Sequence, residues 1–214
     1  MRLDLWLVKK ELFKTRSRAK IAIRMGLVKV NGQTVTRPSA EISEDAVIEI
    51  LGDKPAGYWK LKELDEKFRI FRGDETVLDL GSSAGGFLLY ASERAKFVYG
   101  IEVSNEFEDI LKEIERERGN VRVFIEDAFR FNVERLESVD LILNDMTLPF
   151  SSSMIALKRF LPKLRPGGRI LFVHKLSRKD ERDANFEGFE ILGFEKSRDK
   201  KEAYYFLRPK TVQG

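Results

Sequence analysis

The chain contains no cysteine and a single histidine, His174, among its 214 residues. Without cysteine there is neither a disulfide frame nor a thiolate metal site, and one imidazole leaves the usual zinc ligand sets out of reach. Long apolar runs are also missing. None approaches the ~20 residues that a membrane helix needs, and MRLDLWLVKKELFK carries charges throughout in place of the apolar core of a signal peptide. These absences set the expectation of a cytoplasmic protein with no membrane partner and no metal. No internal repeat or low-complexity tract interrupts the chain. With 43% hydrophobic residues it can bury a real core, enough for one domain of ordinary size and a small one.

Charge is unevenly placed. Residues 1–51 hold 10 Lys and Arg against 6 Asp and Glu, which accounts for the whole net charge of +4, leaving 29 of each sign in residues 52–214. Within the first segment Lys9, Lys10, Lys14, Arg16, Arg18, Lys20, Arg24 and Lys29 cluster with only Glu11 opposing them. Such clustering suits a polyanion. RLDLWLVKKEL has helical spacing, and KTRSRAKIAIRMG offers Ser17 as an N-cap, a helical run and Gly26 as a stop. LVKV, Asn31-Gly32 and QTV read as two strands around a turn whose two central residues need positive φ, and AVIEI supplies a third strand. Basic residues on two adjacent helices beside a hairpin point to RNA, with Lys14, Arg16, Arg18, Lys20, Arg24 and Lys29 as candidate contacts.

GDKPAG, residues 52–57, breaks both periodicities and reads as a linker, so a second domain is expected over 58–214. There strands and helices alternate: helix WKLKELDEKF, strand TVLDL, helix GFLLYASERA, strand FVYGIE, helix EFEDILKEIERER, strand VRVFI, strand VDLILND, helix SSSMIALKRFLPKL, strand GRILFVHK. That alternation predicts an α/β fold, a parallel sheet covered by helices on both faces. FEILGFEKS and EAYYFLR follow as a candidate antiparallel pair closing it.

In VLDLGSSAGGFLLYA, Asp79 ends a buried strand, Gly81 to Gly86 make the turn and a helix begins near Gly86. Free N–H groups and a bare backbone then face the carboxyl edge of the sheet, where such folds bind ligands. The spacing G-S-S-A-G-G does not satisfy the dinucleotide fingerprint, which leaves NAD as a runner-up. Glu102 ends the second strand, where its carboxylate can accept ribose hydroxyls, and Asp127 follows the third, where it can accept from an adenine amino group. Three acids at successive strand ends beside one glycine turn describe an adenosine pocket. A side chain at Gly85 would take space the ligand needs.

Residues 1–51 resemble the αL RNA-binding domain of the S-four type, through the opening RLD, the SRxxA helix, the G-x-V-x-V-N-G turn and the following Pro-Ser. In that family the second helix and the hairpin contact structured RNA. The rest of the chain resembles the S-adenosylmethionine-dependent methyltransferases of the FtsJ type, which methylate a ribose 2'-hydroxyl. YWKLKELDEKFRIF, VLDLGSSAGGF, LILNDM and FVHK with KKEAYYF carry this resemblance. The two together are similar to the TlyA or hemolysin-type family, whose members methylate cytidine ribose in ribosomal RNA. The resemblance implies a Rossmann-like methyltransferase sheet with a small N-terminal α+β RNA-binding domain, S-adenosyl-L-methionine as cofactor, and ribosomal RNA or a ribosomal subunit as partner. It implies a catalytic tetrad of Lys60, Asp145, Lys175 and Glu202. For the cofactor it implies Asp79, Gly81, Ser82, Gly85, Gly86, Phe87, Glu102, Asp127, Ala128 and Asp145. MTLPFSS after Asp145 and the GYWK context of Trp59 differ from the forms usual in those relatives.

Lys62 is a rival to Lys60, and helical geometry separates the two by about 200°, so only one can face the site; the K-L-x-E-L frame favours Lys60. A sulfonium methyl is already activated, so the protein has to align the acceptor and remove its proton. Lys175 is the expected base, its ammonium disfavoured by burial and by Lys60, with Asp145 and Glu202 orienting the amines. His174 is the alternative base, but in a strand it points away from Lys175. A non-catalytic RNA-binding assembly factor with the same fold is the alternative function. A lytic role lacks the amphipathic stretch it would need.

Overall fold

The computed structural model describes residues 1–13, 16–52, 54–176, 184–197 and 201–210, without the side chains of Ser17 and Arg18. An amino-terminal unit is built from α1 (Leu3–Lys9), α2 (Arg16–Arg24), β1 (Val28–Val30), β2 (Gln33–Thr34) and β3 (Ile48–Ile50), its sheet ordered β2-β1-β3. Asn31 and Gly32 both take positive φ, 50° and 80°, as the two-residue turn requires. Leu3, Leu7, Ala19, Ile23 and Val28 form its core. Asp4 is fully buried beside them and joins α1 to α2 by accepting from Arg2 Nε at 3.0 Å and Arg16 Nε at 2.8 Å. Burial alone would raise the Asp4 carboxyl, but the two guanidiniums outweigh it and hold it below its ordinary range. Helix α2 starts at Arg16, so Ser17 lies inside the first turn and is not the N-cap expected from its residue type.

The main unit follows as α3 (Ala56–Phe68), β4 (Thr76–Leu80), α4 (Gly86–Ser92), β5 (Phe97–Glu102), α5 (Glu108–Glu117), β6 (Val121–Ile125), β7 (Val139–Asn144), α6 (Phe150–Phe160), β8 (Leu164–Lys175), β9 (Phe189–Lys196) and β10 (Glu202–Pro209). Helix α3 begins at Ala56, three residues before the expected Trp59 and inside the stretch read as linker. Pro55 stands in extended conformation at its N-cap, where a missing N–H costs nothing, so the Gly-Pro signal marks a helix start. The sheet order is β6-β5-β4-β7-β8-β10-β9, parallel from β6 to β8 and antiparallel at β8/β10 and β10/β9. Strand β4 is buried at every position because it lies between β5 and β7 under helices on both faces.

Leu61 and Leu64 of α3, Leu88 of α4 and Ile110, Leu111 and Ile114 of α5 pack on one face of the sheet. Met154, Leu157 and Phe160 of α6 pack on the other with Phe131 and Phe172. Ile21 and Met25 of α2 lean on the first of these layers, seating the amino-terminal unit beside α4 and α5. Helices α3 and α4 approach closely at two glycines. A Cβ on Gly86 would lie 2.7 Å from the Tyr58 N and 2.8 Å from the Gly57 Cα, both backbone atoms that cannot swing aside. Among the described residues, no helix is long and apolar enough to cross a membrane.

The α3/α4 contact yields a stability test. Gly86→Ala is expected to destabilise the fold by about 1–3 kcal/mol, the usual cost of overpacking. Gly119→Ala, where an added Cβ meets nothing within 4 Å, is the control. Urea denaturation of both variants reads the difference.

Candidate active site

The carboxyl ends of the parallel strands gather on one edge, and the loops there are tied together. The Asp145 N–H donates to the Leu80 carbonyl at 3.1 Å, extending the β4/β7 ladder past Asn144, and the Gly81 N–H donates to the Ile101 carbonyl at 2.9 Å. Gly81 sits at φ +83°, with Met146 only 3.0–3.2 Å from where its Cβ would be, so this turn has room for no other residue. Buried Asn144 accepts from Ser153 Oγ at 3.2 Å and thereby anchors α6 behind the Asp145 loop. Strand β10 runs antiparallel and so begins at this same edge, which brings Glu202 directly opposite Lys175 in the β8/β10 register.

Lys60, Asp145, Lys175 and Glu202 converge here as a closed ring of four charges. Lys60 Nζ donates to Asp145 Oδ2 at 2.5 Å and to Glu202 Oε2 at 3.5 Å, while Lys175 Nζ donates to Asp145 Oδ1 at 2.6 Å and Glu202 Oε1 at 2.7 Å. The Tyr204 hydroxyl adds a donor to Glu202 Oε2 at 3.0 Å. All four side chains are largely buried, between 11% and 24% exposed. The Lys60 ammonium also lies 5.2 Å from the centre of the Phe87 ring, so Phe87 supports the ring of charges from beneath. Lys62 points elsewhere, over Trp59 and toward Glu66, as its separation from Lys60 around the helix requires. His174 is buried 5.0 Å from the Phe150 ring, on the side away from the four charges.

Two expectations about this edge are corrected. Lys175 was expected to have a disfavoured ammonium; burial does work in that direction, but Asp145 and Glu202 outweigh it and raise its pKa above the ordinary lysine value. Glu202 mirrors it: burial pushes its carboxyl up, Lys175 and Lys60 pull it down, and the result is about 2. With two carboxylates shared by two ammoniums, the resting ring is neutral overall and its lysines are charged. The second correction concerns Gly85. A Cβ there would lie 2.2 Å from Ile114 Cδ1 and 3.3 Å from Leu111 Cδ2, with φ at +78°. Glycine is needed for backbone conformation and for α5 packing, and no ligand space lies on that side.

Beside the four charges lies a pocket of about 330 Å³ lined by Gly81, Ser83, Glu102, Glu126, Asp127, Ala128, Asp145 and Thr147, with Ile101, Val103, Phe107, Phe129, Met146 and Leu148 supplying apolar walls. Glu102 is oriented by the Ser83 and Ser104 N–H groups, each donating to a different oxygen at 2.8 Å, so both oxygens keep lone pairs toward the pocket. Asp127 accepts from the Phe129 N–H at 2.9 Å through one oxygen. Asp79 is fully buried and neither of its carboxylate oxygens has a hydrogen-bond partner. The Ser82 hydroxyl turns to the Asp79 carbonyl instead, at 3.4 Å. Burial, aided by Asp145 and Glu102 nearby, pushes the Asp79 carboxyl up to about 8. An orphaned buried acid next to a pocket lined by Glu102, Glu126, Asp127 and Asp145 fits a ligand that carries a cation and a ribose, as S-adenosylmethionine does.

The basic residues of the amino-terminal unit are more engaged than their clustering suggests. Arg16 is bound to Asp4, Lys29 lies 3.6 Å from Glu49, and Arg24 faces Asp109 of the main unit at 3.7 Å. Lys20 is half-buried on α2. Lys14 and the Arg18 side chain lie outside the described residues. Two groups of site residues escaped the sequence reading. Tyr204 had a usable signal, because residues two apart in a strand share a face with Glu202. The apolar walls Val103, Met146 and Phe129 had none beyond lying just past a strand end. Among the described residues, no group of three or more His, Asp or Glu is placed to hold a metal.

This sheet order, with a glycine turn after the first strand and an antiparallel closing pair, is that of the Rossmann-like methyltransferases. The chain belongs to the FtsJ-like methyltransferase family, which residues 56–176 match, and an S4 domain precedes it at residues 1–48. A Bacillus subtilis protein provisionally named rRNA methyltransferase YqxC is 30% identical over 174 residues, covering 77% of this chain and 58% of that protein. Ribosomal RNA large subunit methyltransferase E of Legionella pneumophila (strain Lens) is 32% identical over 133 residues, covering 56% and 65%. The chain thus spans less than two thirds of the length of these relatives. Among solved structures, a Streptococcus thermophilus protein provisionally named a hemolysin matches 99% of this chain and 89% of its own, with a TM-score of 0.63 at 21% identity. A Streptococcus mutans protein provisionally named a methyltransferase, in complex with SAH, matches 70% and 97% with a TM-score of 0.53 at 16% identity. At such identities the likeness is one of fold.

Asp79 yields a test that reads stability and binding in opposite directions. Its folded-state value of about 8 exceeds the ordinary 3.8, so the native protein keeps a proton that the unfolded chain has released, and native stability falls as pH rises from about 4 to about 8. Asp79→Asn is therefore expected to melt higher than the parent at pH 8, with the gap closing toward pH 4. The same variant should bind S-adenosylmethionine more weakly by calorimetry. A variant that melts lower at pH 8, or binds unchanged, contradicts this account of Asp79.

Proposed function

We propose that this protein is an S-adenosylmethionine-dependent 2'-O-ribose methyltransferase of ribosomal RNA, working in the cytoplasm. The observation that carries the reading is the convergence of Lys60, Asp145, Lys175 and Glu202, from three strand ends and a helix, beside a pocket suited to adenosine. Cytidine as the acceptor rests on the resemblance to the hemolysin-type methyltransferases. The names of the Bacillus and Legionella relatives support ribosomal RNA as substrate. We assign RNA binding to residues 1–51, and cofactor binding and chemistry to the chain from Ala56 onward.

When bound, S-adenosylmethionine supplies a methyl group already activated on a sulfonium. Glu102 would accept from the ribose hydroxyls and Asp127 from the adenine amino group, and Asp79, buried behind the glycine turn, would answer the charge of the amino-acid end. Gly81, Ser82 and Ser83 form the turn beneath, with Gly85 and Gly86 fixing its backbone path and Ala128 lining the pocket. The protein's remaining task is to orient a ribose 2'-hydroxyl and take its proton, and Lys175 Nζ is the acceptor for that proton. Asp145 and Glu202 hold Nζ in place at 2.6 and 2.7 Å, and Lys60 keeps both carboxylates from drifting. Because the resting Lys175 is an ammonium with a raised pKa, it must lose a proton before it can accept one. Asp145 lines the pocket that would hold the cofactor, and positive charge held there would weaken the grip of Asp145 on the Lys175 proton, which would leave to solvent.

Single-turnover transfer to ribosomal RNA at saturating cofactor tests the roles. Lys175→Ala is expected to lose roughly 10²- to 10⁴-fold in rate, the scale of a general base, with cofactor affinity nearly unchanged. Lys62→Ala should keep its rate. A Lys175→Ala protein with full rate would sink the assignment, and label found on a base would sink the 2'-hydroxyl.

The raised pKa of Lys175 also fixes the pH dependence. The neutral amine grows as pH rises toward the lysine value, so the single-turnover rate should climb through the neutral and mildly alkaline range. Lys175→Ala should flatten the profile, and a wild-type rate that falls over this range would contradict the proposal.

A further inference from the structure

A second cavity, of about 440 Å³, opens next to the cofactor pocket and lies between the two units of the chain. The two cavities share Gly81, Ser83, Asp145 and Thr147. One wall of the second carries Lys60 and Lys175, and the opposite wall carries Arg24, Thr34 and Thr36 of the S4 domain. The units are held in register around it by Ile21 and Met25 packing on the α4/α5 layer.

Among the described residues lining this cleft, Lys60, Lys175 and Asp145 belong to the neutral ring of charges, and Arg24 is the charged side chain outside it. Arg24 is the last residue of α2 and its side chain is only 21% exposed. Its Nε is buried with no hydrogen-bond partner. The acid facing it, Asp109, is 3.7 Å away and 85% exposed, too distant for a hydrogen bond and too solvated to satisfy a buried guanidinium. Buried donors left unmet are costly, and a guanidinium fork suits a phosphate. The Thr34 and Thr36 hydroxyls stand on the same wall as neutral donors.

We propose that Arg24 binds a backbone phosphate of the acceptor nucleotide inside this cleft, so that the S4 domain completes the acceptor site as well as gripping RNA on its outer face. The proposal rests on the methyltransferase reading above. It places a phosphate in the cleft that Lys175 also lines, which makes the S4 domain a determinant of which ribose reaches the base.

The test is single-turnover methylation of ribosomal RNA from cells lacking this protein, by the full chain. Arg24→Gln is expected to lose roughly ten- to a hundredfold in RNA methylation, the scale of a hydrogen bond to a charged group, with melting temperature and S-adenosylmethionine affinity unchanged. Arg24→Lys should recover part of the loss, since it restores the charge without the fork. Asp109→Asn should react at the wild-type rate. Two results overturn the proposal: Arg24→Gln at the full rate, or Asp109→Asn losing as much as Arg24→Gln, which would make the pair an interdomain strut. Absence of transfer by the wild-type protein would count against the methyltransferase reading itself and would remove this proposal with it.

Discussion

The pairing of Glu202 with Lys175 across the β8/β10 ladder is the contact on which the rest of the site depends. Two lysines and two carboxylates lie largely out of water, an arrangement tolerable only when every charge has its counterpart. The antiparallel start of β10 supplies one acid, the extension of β7 past Asn144 supplies the other, and β8 ends in the first lysine. The second arrives on α3, which reaches the edge because Gly57 and Gly86 let α3 and α4 touch backbone to backbone. A fold that failed in any one of these deliveries would leave a buried charge uncompensated, so the catalytic arrangement and the packing of the sheet edge are the same problem.

Next to this neutral ring the protein keeps groups that its own contacts do not satisfy. Asp79 is buried in the central strand with neither carboxylate oxygen hydrogen-bonded, and Arg24 closes the domain cleft with its Nε unmet. Arg24 lines a cavity that also carries Asp145, and Asp79 lies within electrostatic reach of Asp145 and Glu102 on the wall of the other. The division of labour is electrostatic. The ring is balanced in charge; under the proposed function the cationic cofactor is drawn to the acids of its pocket and the anionic acceptor to Arg24.

Much of this was legible in the residues. TVLDL reads as a strand buried on both faces and is one; Asn31-Gly32 reads as a turn with positive φ at both positions and is one. Lys60 could be separated from Lys62 because helical register is a local property. What could not be read depends on contacts distant in sequence. Gly85 looks like part of a ligand cradle until Ile114 is found against it, and the start of α3 is masked by a proline and a glycine that usually end helices. The sign of the Lys175 shift was misjudged because burial and Lys60 were weighed above the two carboxylates, whose close contacts at 2.6 and 2.7 Å depend on the strand register and are not legible in sequence. The clustered cations of the first segment likewise hide their partners: Arg16 serves Asp4 within the core, and Arg24 turns toward the main unit.

The central claim is that the charge ring holds Lys175 as an ammonium in the free protein and that cationic charge in the neighbouring pocket loosens it. Lysine labelled with ¹³C at Cε and ¹⁵N at Nζ, assigned by comparison with Lys175→Arg and titrated by NMR, reads this directly. The account predicts a Lys175 pKa above the ordinary 10.5 in the free protein and a lower one with S-adenosylmethionine bound. A value below 10.5 in the free protein, or one that rises on binding the cofactor, would contradict it.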